Sequence, residues 1–163
     1  MPYKKIKTPV GELTLVANDT HLLAVLWKHD EERVKIEPGA EESEHPVLCK
    51  AENQLKEYFT FKRKNFEIPL QFTGTGFQKK VWNELLKIPF GQTRTYLQIA
   101  HELGDKNATR AVGLANGKNP ISIIAPCHRV IGSSGKLTGF AGGIENKRIL
   151  LELEQNASSL KLF

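Results

Sequence analysis

The spacing of apolar residues changes once along this 163-residue chain, and that change constrains the fold more than any other feature. Up to about residue 28 apolar and polar residues alternate, with turn-forming pairs at Val10-Gly11 and Asn18-Asp19, which indicates two or three antiparallel strands. From residue 46 apolar residues recur every three or four positions, as in helices. We therefore predict an α+β protein. A small N-terminal α/β domain with an antiparallel sheet, residues 1–73, precedes a mainly helical domain, residues 74–163.

The rest of the N-terminal domain is predicted in three pieces. Residues 30–45 are acidic and irregular, which indicates a loop. Residues 46–61 carry apolar side chains at helical spacing, and residues 62–76 are interpreted as a short strand followed by a linker.

The second domain is predicted to begin with three helices. Thr75 can cap the first, and the second opens with a capping box at Thr95 and stops at Gly104. The third, residues 108–116, follows after about four residues and has Asn107 as its cap. Two helices with a short glycine-containing connection are typical of a helix-turn-helix, although an ordinary packed helix pair fits the same pattern.

The charge distribution favours a polyanionic partner. The net charge is +5 and the isoelectric point is about 9.2, and bases outnumber acids between residues 79 and 118, around the predicted helix-turn-helix. No apolar run approaches the roughly 20 residues that cross a bilayer, and the N-terminus lacks the apolar segment of a secretion signal. We expect a cytoplasmic address, with the nucleus as the alternative, and no membrane contact.

The two cysteines, Cys49 and Cys127, are too few for a disulfide framework, and neither has the Cys/His spacing of a zinc site. We therefore expect two free thiols, no metal and no cofactor. For each cysteine, an inert buried thiol is the simplest interpretation.

Cys127 has the neighbours that a reactive thiol needs. It follows Pro126 and precedes His128-Arg129, and positive neighbours stabilise a thiolate. Because adjacent residues of an extended segment point to opposite sides, proton exchange between Cys127 and His128 requires a bent backbone or a bridging water. Glu154 shares a helix face with Leu150, so it is a candidate carboxylate to orient His128.

Several motifs together resemble the methylated-DNA–protein-cysteine methyltransferases, also called O6-alkylguanine-DNA alkyltransferases. The central match is Asn119-Pro120 followed by residues 126–132, and the resemblance runs from about residue 77 to residue 154. Flanking matches are Phe90-Gly91, Thr95-Tyr96, residues 110–113 and the glycine-rich residues 137–143. The first domain is less similar, and the resemblance implies a ribonuclease H-like fold for it.

The resemblance implies a role for each matching residue. Cys127 would accept the alkyl group irreversibly, one per protein molecule, from O6-alkylguanine in double-stranded DNA, with O4-alkylthymine as a second candidate substrate. His128 would take the thiol proton through a water, with Glu154 behind it, and Asn119 would hold the adjacent turn. Tyr96 would press on the DNA backbone and protonate the leaving guanine.

The resemblance also implies a DNA surface and a base pocket in a monomeric protein. Arg110 would fill the gap left by the extruded nucleotide. Thr109, Ala111 and Asn116 would contact DNA beside it. The backbone carbonyls of Cys127 and Val130 would recognise the extruded base, and the rest of the pocket would be formed by Phe140 and Ala141.

Two positions depart from the family pattern. Phe140 stands where many relatives carry tyrosine, and Ser122 lies where it would widen or polarise the pocket. The alternatives to alkyl transfer are a Cys-His hydrolase, a non-catalytic DNA-damage binder and a helix-turn-helix regulator. The regulator would carry base-reading side chains on its second helix, whereas residues 108–117 are mostly small.

Overall fold

The predicted N-terminal sheet is confirmed. The structure, a computed structural model, describes residues 1–33, 44–137 and 140–160. Strands β1 (Tyr3–Thr8), β2 (Gly11–Ala17) and β3 (Leu22–Trp27) pair antiparallel in that order. Gly11 takes a φ of +100° in the tight β1–β2 turn, where a side chain would be strained. A 3₁₀ turn, Lys28–Arg33, follows β3, and most of the predicted acidic loop, residues 34–43, lies outside the described residues.

Helix α1 (Pro46–Phe59) packs against the sheet and ends two residues before the predicted limit. The prediction of a short strand in residues 62–76 is wrong. The segment forms one bridge, in which Leu70 pairs with Leu22 at the edge of β3 that does not pair with β2. Pro69 precedes it and has no backbone N–H, so this segment cannot extend a ladder.

The second part of the chain is helical, as predicted. It contains α2 (Gly76–Leu85), α3 (Tyr96–Glu102), α4 (Thr109–Gly117) and α5 (Ile144–Leu160). Capping boxes at Thr75 and Thr95 are both present, and Gly104 has a φ of +84° just beyond α3. These features could be predicted from the sequence because each depends on residues no more than three positions apart.

The connection between α3 and α4 differs from the prediction. It spans residues 103–108 and contains a 3₁₀ turn, Lys106–Ala108, so it is longer than four residues. Asn107 does not cap α4. It lies inside the 3₁₀ turn, where its backbone N–H donates to the Asp105 side chain at 3.0 Å. Helix α4 begins one residue later than expected and packs on both α2 and α3.

The larger of two apolar clusters runs through both parts of the chain and packs the segment that carries Cys127 against the N-terminal sheet. The residues that lead to Cys127 pair with β3 along the edge that does not face β2. Val25 N–H donates to Pro120 O at 2.9 Å, and Val25 forms a bridge with Ile121. Short strands β4 (Arg94–Thr95) and β5 (Val130–Ile131) pair in parallel, which brings the start of α3 beside the residues that follow Cys127. No helix in the described part of the chain is long and apolar enough to cross a membrane.

Candidate active site

The segment that leads to Cys127 is folded around the Asn119 side chain. Asn119 Oδ1 accepts from Ile121 N–H at 3.0 Å, and its Nδ2 donates to Ala125 O at 2.8 Å. Between them Ile123 is fully buried with a φ of +73°, a left-handed conformation that a β-branched residue rarely adopts. Backbone strain of this kind persists only where the surroundings over-determine it, and here the Asn119 amide and the core hold it.

A 3₁₀ turn is formed by Cys127, His128 and Arg129. The backbone is therefore bent between Cys127 and His128, the two residues expected to exchange a proton. All three side chains are buried. Burial raises the pKa of the Cys127 thiol, while hydrogen bonds from Asn119 and Ser122 and the charge of Lys147 partly offset that rise. The thiol is therefore protonated near neutral pH and needs a base.

The Glu154 carboxylate lies at the centre of a buried network. Its Oε2 accepts from His128 Nε2 at 2.6 Å, from Tyr58 OH at 2.6 Å and from Arg129 Nη2 at 3.0 Å. Its Oε1 accepts from Arg129 Nε at 2.8 Å and from Gly91 N–H at 3.1 Å. One carboxylate thereby joins α5, α1, the turn after α2 and the Cys127 segment.

This network sets the protonation states around the nucleophile. Burial opposes ionisation of Glu154, yet His128 and Arg129 outweigh it and hold the pKa of Glu154 well below its usual range. Burial lowers the pKa of His128 below its ordinary value of 6.5, so the imidazole is neutral near pH 7. An ionised carboxylate only accepts, so His128 Nε2 carries the proton. His128 Nδ1, which has no hydrogen-bond partner within the described residues, then keeps its lone pair.

The expectation that Arg129 stabilises the Cys127 thiolate is wrong. The Arg129 guanidinium is committed to Glu154 and donates to Ile88 O at 2.7 Å. The cation that acts on the thiol is Lys147, whose Nζ donates to Val130 O at 2.5 Å and lies 5.8 Å from the centre of the Tyr96 ring. Burial lowers the pKa of Lys147 to about 8, against the raising effect of the Cys127 charge.

Sequence reasoning missed Lys147, Tyr58 and Trp27. Lys147 had a signal: it precedes Glu154 by seven residues, two helical turns, and therefore lies on the same face of α5. Tyr58 and Trp27 had none. Their partners, Glu154 and Ser122, lie 96 and 95 residues further along the chain, and only tertiary packing brings them together.

Most of the predicted DNA-contacting residues lie on or near the surface of the helix pair. Arg110 and Ala111 are exposed on α4, and Tyr96 and Thr109 are half-buried. The prediction for Asn116 is wrong, because its side chain is only 1% exposed and its Nδ2 donates to Cys127 O at 3.3 Å. Asn116 lies on the face of α4 that packs inward, so it supports the nucleophile's backbone instead of a DNA surface.

The predicted pocket residues lie in two places: Val130 is in the Cys127 segment, whereas Phe140 and Ala141 contact residues of the N-terminal part of the chain. Val130 is fully buried, and its carbonyl is the one that Lys147 binds. The Phe140 ring packs edge-on against Trp27 with centroids 5.5 Å apart, and Ala141 O lies 2.5 Å from His29 Nε2. Thr138 and Gly139, in the predicted glycine-rich loop, lie outside the described residues. Within the described ranges no group of three or more His, Cys, Asp or Glu residues could hold a metal ion.

Comparison with known proteins gives the same family for both parts of the chain. Residues 76–156 match the model of the 6-O-methylguanine DNA methyltransferase DNA-binding domain, and residues 1–72 match the ribonuclease-like domain of the same family. The methylated-DNA–protein-cysteine methyltransferase of Mycobacterium tuberculosis is 45% identical over 165 residues, covering 98% of this chain and 96% of the relative. That of Methanosarcina barkeri is 46% identical over 156 residues, covering 96% and 98%.

Comparison with solved structures gives the same family as the comparison of sequences. The crystal structure of Mycobacterium tuberculosis OGT in complex with DNA superposes with a TM-score of 0.86 at 44% identity, covering 100% of this chain and 99% of that one. An O6-methylguanine DNA methyltransferase from Methanococcus jannaschii superposes with a TM-score of 0.67 at 28% identity, covering 93% and 92%. The fold and the site define a cysteine-dependent DNA alkyltransferase. The chain belongs to the methylated-DNA–protein-cysteine methyltransferase family, with a ribonuclease-like N-terminal domain and a DNA-binding domain.

The Glu154 network predicts a large loss of stability in Glu154→Gln. The substitution keeps the side-chain volume but removes the charge that compensates buried Arg129, so we expect the free energy of unfolding at pH 7 to fall by about 3–5 kcal/mol. Urea unfolding followed by circular dichroism measures it. Because the folded-state pKa of Glu154 is depressed, its contribution is complete above about pH 4.5 and is lost as the pH falls further. The difference in free energy of unfolding between the wild type and Glu154→Gln should therefore become smaller as the pH falls below about 4.5.

Glu152→Gln is the matched control. Glu152 lies two residues earlier on the same helix and is exposed, where it pairs with Arg148 at 2.6 Å. An exposed pair contributes little, so this variant should lose less than about 1 kcal/mol. Equal losses in the two variants would contradict the central role of Glu154.

Proposed function

We propose that this protein repairs alkylated DNA by direct reversal, transferring the alkyl group from O6-alkylguanine irreversibly to its own Cys127. The observation that carries the proposal is the arrangement of Cys127 on the same tight turn as a neutral His128, whose Nε2 is fixed by Glu154 and whose Nδ1 lone pair is left for a proton. Membership in the alkyltransferase family supports the same reaction. O4-alkylthymine is a second candidate substrate.

The proposed reaction is a single displacement. The Cys127 proton passes to His128 Nδ1 through a water, and the sulfur attacks the alkyl carbon. The bond between that carbon and guanine O6 breaks, its electron pair stays with the purine, and Tyr96 supplies the proton that neutralises a guanine ring nitrogen. The product on Cys127 is a thioether, which lacks an acyl group that water could cleave, so each molecule acts once.

A base must leave the duplex before the sulfur can reach its alkyl carbon. We assign the void left behind to Arg110, because it is the long cation on the exposed face of α4. Ala111 beside it is small enough to permit close approach, and Tyr96 and Thr109 complete the contact. Few groups on this face can read base edges, which suits a protein that scans for damage independently of sequence.

The extruded base would lie between the Cys127 segment and the loop that carries Phe140 and Ala141. Its recognition is assigned to the carbonyls of Cys127 and Val130. Val130 O accepts from Lys147, and Cys127 O accepts from the Val130 N–H and, at 3.3 Å, from Asn116 Nδ2. Asn119 is assigned to hold this segment in place, in keeping with its hydrogen bonds to Ile121 and Ala125.

We further propose that the protein acts as a monomer in the cytoplasm, with residues 1–73 and 74–163 as its two domains. All proposed catalytic groups come from one chain, which supports action as a monomer. Cys127 must stay reduced to react, which suits a cytoplasmic compartment, where thiols remain free.

The first test is methyl transfer from DNA that contains O6-methylguanine with a labelled methyl group. We expect one label per protein molecule, found by peptide mass spectrometry on Cys127, and none in Cys127→Ala. Cys49→Ala is the matched control and should transfer normally. Label on Cys49 alone, or release of several equivalents as expected of a Cys-His hydrolase, would overturn the proposal.

The second test separates base extrusion from chemistry. Because Arg110 is assigned to the void in the duplex, Arg110→Ala should slow repair of duplex DNA by at least about tenfold, a loss of about 1.4 kcal/mol in transition-state stabilisation. Reaction with the free base O6-benzylguanine should hardly change. Lys50→Ala, which removes an exposed cation from α1, controls for net charge. Equal losses with both substrates would exclude a role in extrusion.

The third test uses pH. Since burial lowers the pKa of His128 below 6.5, the base stays available through neutral pH, and the single-turnover rate should fall only when His128 is protonated. We expect the acid limb of the rate profile below pH 6.5 in wild type, with no such limb in His128→Asn. Circular dichroism at each pH verifies that the protein remains folded. A midpoint above 6.5 would contradict this assignment.

A further inference from the structure

We propose that Tyr58, near the end of helix α1, is a positioning residue for the base: its hydroxyl shares one oxygen of Glu154 with His128 and so limits the pull of that carboxylate on the imidazole. His128 then stays neutral and able to take a proton. The inference rests on the proposed function, in which His128 deprotonates Cys127. It gives the N-terminal domain a part in the chemistry of the helical part of the chain.

Tyr58 and His128 meet at the same atom of Glu154. The Tyr58 hydroxyl donates to Glu154 Oε2 at 2.6 Å, and His128 Nε2 donates to the same oxygen at 2.6 Å. All three side chains are at most 1% exposed, so both hydrogen bonds form out of contact with bulk water. The two donors therefore share the negative charge of one oxygen, and a change in one bond changes the other.

The charge of Glu154 sets the direction of the Tyr58 hydrogen bond. An ionised carboxylate only accepts, so the phenol is the donor. Burial and the neighbouring carboxylate raise the pKa of Tyr58 well above its ordinary value, so the hydroxyl keeps its proton over the whole range in which His128 titrates. Tyr58 is thus a constant and neutral donor to Glu154.

The other groups around His128 act on it through their charges. Burial lowers the pKa of His128, the Glu154 carboxylate raises it, and the cations Arg129 and Lys147 lower it by repelling a further positive charge. Arg129 also donates to both oxygens of Glu154, at 2.8 Å and 3.0 Å. Tyr58 differs from these cations because it carries no charge, so it acts on the imidazole through the oxygen that they share.

Sharing of this oxygen weakens the bond that would hold a second proton on His128. A carboxylate beside an imidazole stabilises its charged form, and a second donor on the same oxygen takes up part of that negative charge. Removal of the Tyr58 hydroxyl therefore favours protonation of His128 Nδ1. This is the atom assigned to receive the proton of Cys127.

Aromatic packing fixes the position of the Tyr58 hydroxyl. The Tyr58 ring lies edge-on to Phe59 and Phe90, at centroid distances of 5.1 Å and 6.0 Å, and tilted on Phe66 at 5.6 Å. Edge-on contacts are a favoured geometry for aromatic pairs. The hydroxyl is therefore preorganised toward Glu154, and a phenylalanine at this position would retain the ring contacts.

The test titrates His128 directly and does not need DNA. The Hε1 and Cε1 resonances of the histidines are followed by NMR over a range of pH in the full chain, and the signal missing from His128→Asn identifies His128. Tyr58→Phe keeps the aromatic ring and removes the hydroxyl. It should raise the midpoint of the His128 titration by about one pH unit, because Glu154 Oε2 loses a donor.

Two further proteins separate positioning from a merely structural role. Tyr3→Phe is the matched control: it removes a tyrosine hydroxyl from β1, where Tyr3 packs against the smaller apolar cluster, and should leave the His128 midpoint unchanged. Incorporation of 3,5-difluorotyrosine at position 58 makes the hydroxyl more acidic and a stronger donor, so it should lower the midpoint. Loosened packing would not give opposite shifts, and the fluorinated protein still tests the inference if Tyr58→Phe does not fold.

The single-turnover rate of methyl transfer gives a second readout. Its acid limb should move with the NMR midpoint, upward by about one pH unit in Tyr58→Phe. An acid limb that stays in place while the NMR midpoint moves would overturn the assignment of His128 as the base.

Two NMR results would overturn the role of Tyr58 itself. One is an unchanged or lowered His128 midpoint in folded Tyr58→Phe, and the other is a raised midpoint in the fluorinated protein. Failure here is distinct from failure of the proposed function, because methyl transfer from DNA to wild-type Cys127 is measured separately. A protein that repairs DNA can still show an unmoved midpoint, and a chain that repairs nothing still reports its His128 titration.

Discussion

The buried Glu154 carboxylate is the interaction on which the rest of the site depends. An ionised group taken out of water is costly unless hydrogen bonds surround it, and Glu154 receives them from His128, Arg129, Tyr58 and the backbone of Gly91. The same bonds fix the histidine tautomer and hold the Cys127 turn against the last helix. The carboxylate that balances the charge of buried Arg129 therefore also fixes the imidazole of His128.

The N-terminal domain is more than a scaffold beside this network. Its helix supplies Tyr58 to Glu154, and its sheet supplies Trp27 to Ser122 and a free edge that binds Pro120. One apolar core crosses the boundary between the two parts of the chain. Cys127 thus lies where both domains meet, and the N-terminal domain contributes contacts to the buried network beside it.

Local signals carried the sequence predictions that succeeded. The strands before residue 28, the capping boxes at Thr75 and Thr95, and the stop at Gly104 each depend on neighbours within a few positions. Predictions failed where distant partners decided the outcome. Arg129 turned from the thiol to Glu154, and Asn116 turned inward because α4 packs that face on the body of the protein. The expected strand near Leu70 shrank to one bridge beside a proline.

By itself, the sequence determined the change from strands to helices and the family, and it named Cys127, His128 and Glu154 as the candidate chemical set. The strands and helices follow from short-range periodicity, Cys127 and His128 from a compact motif, and Glu154 from its place on an apolar helix face. Tertiary structure alone decided which cation faces the thiol, which atom of His128 is left to act as a base, and which N-terminal side chains reach the site. Burial creates these effects, since charges and hydrogen bonds gain strength only when folding excludes water and brings residues nearly 100 positions apart into contact.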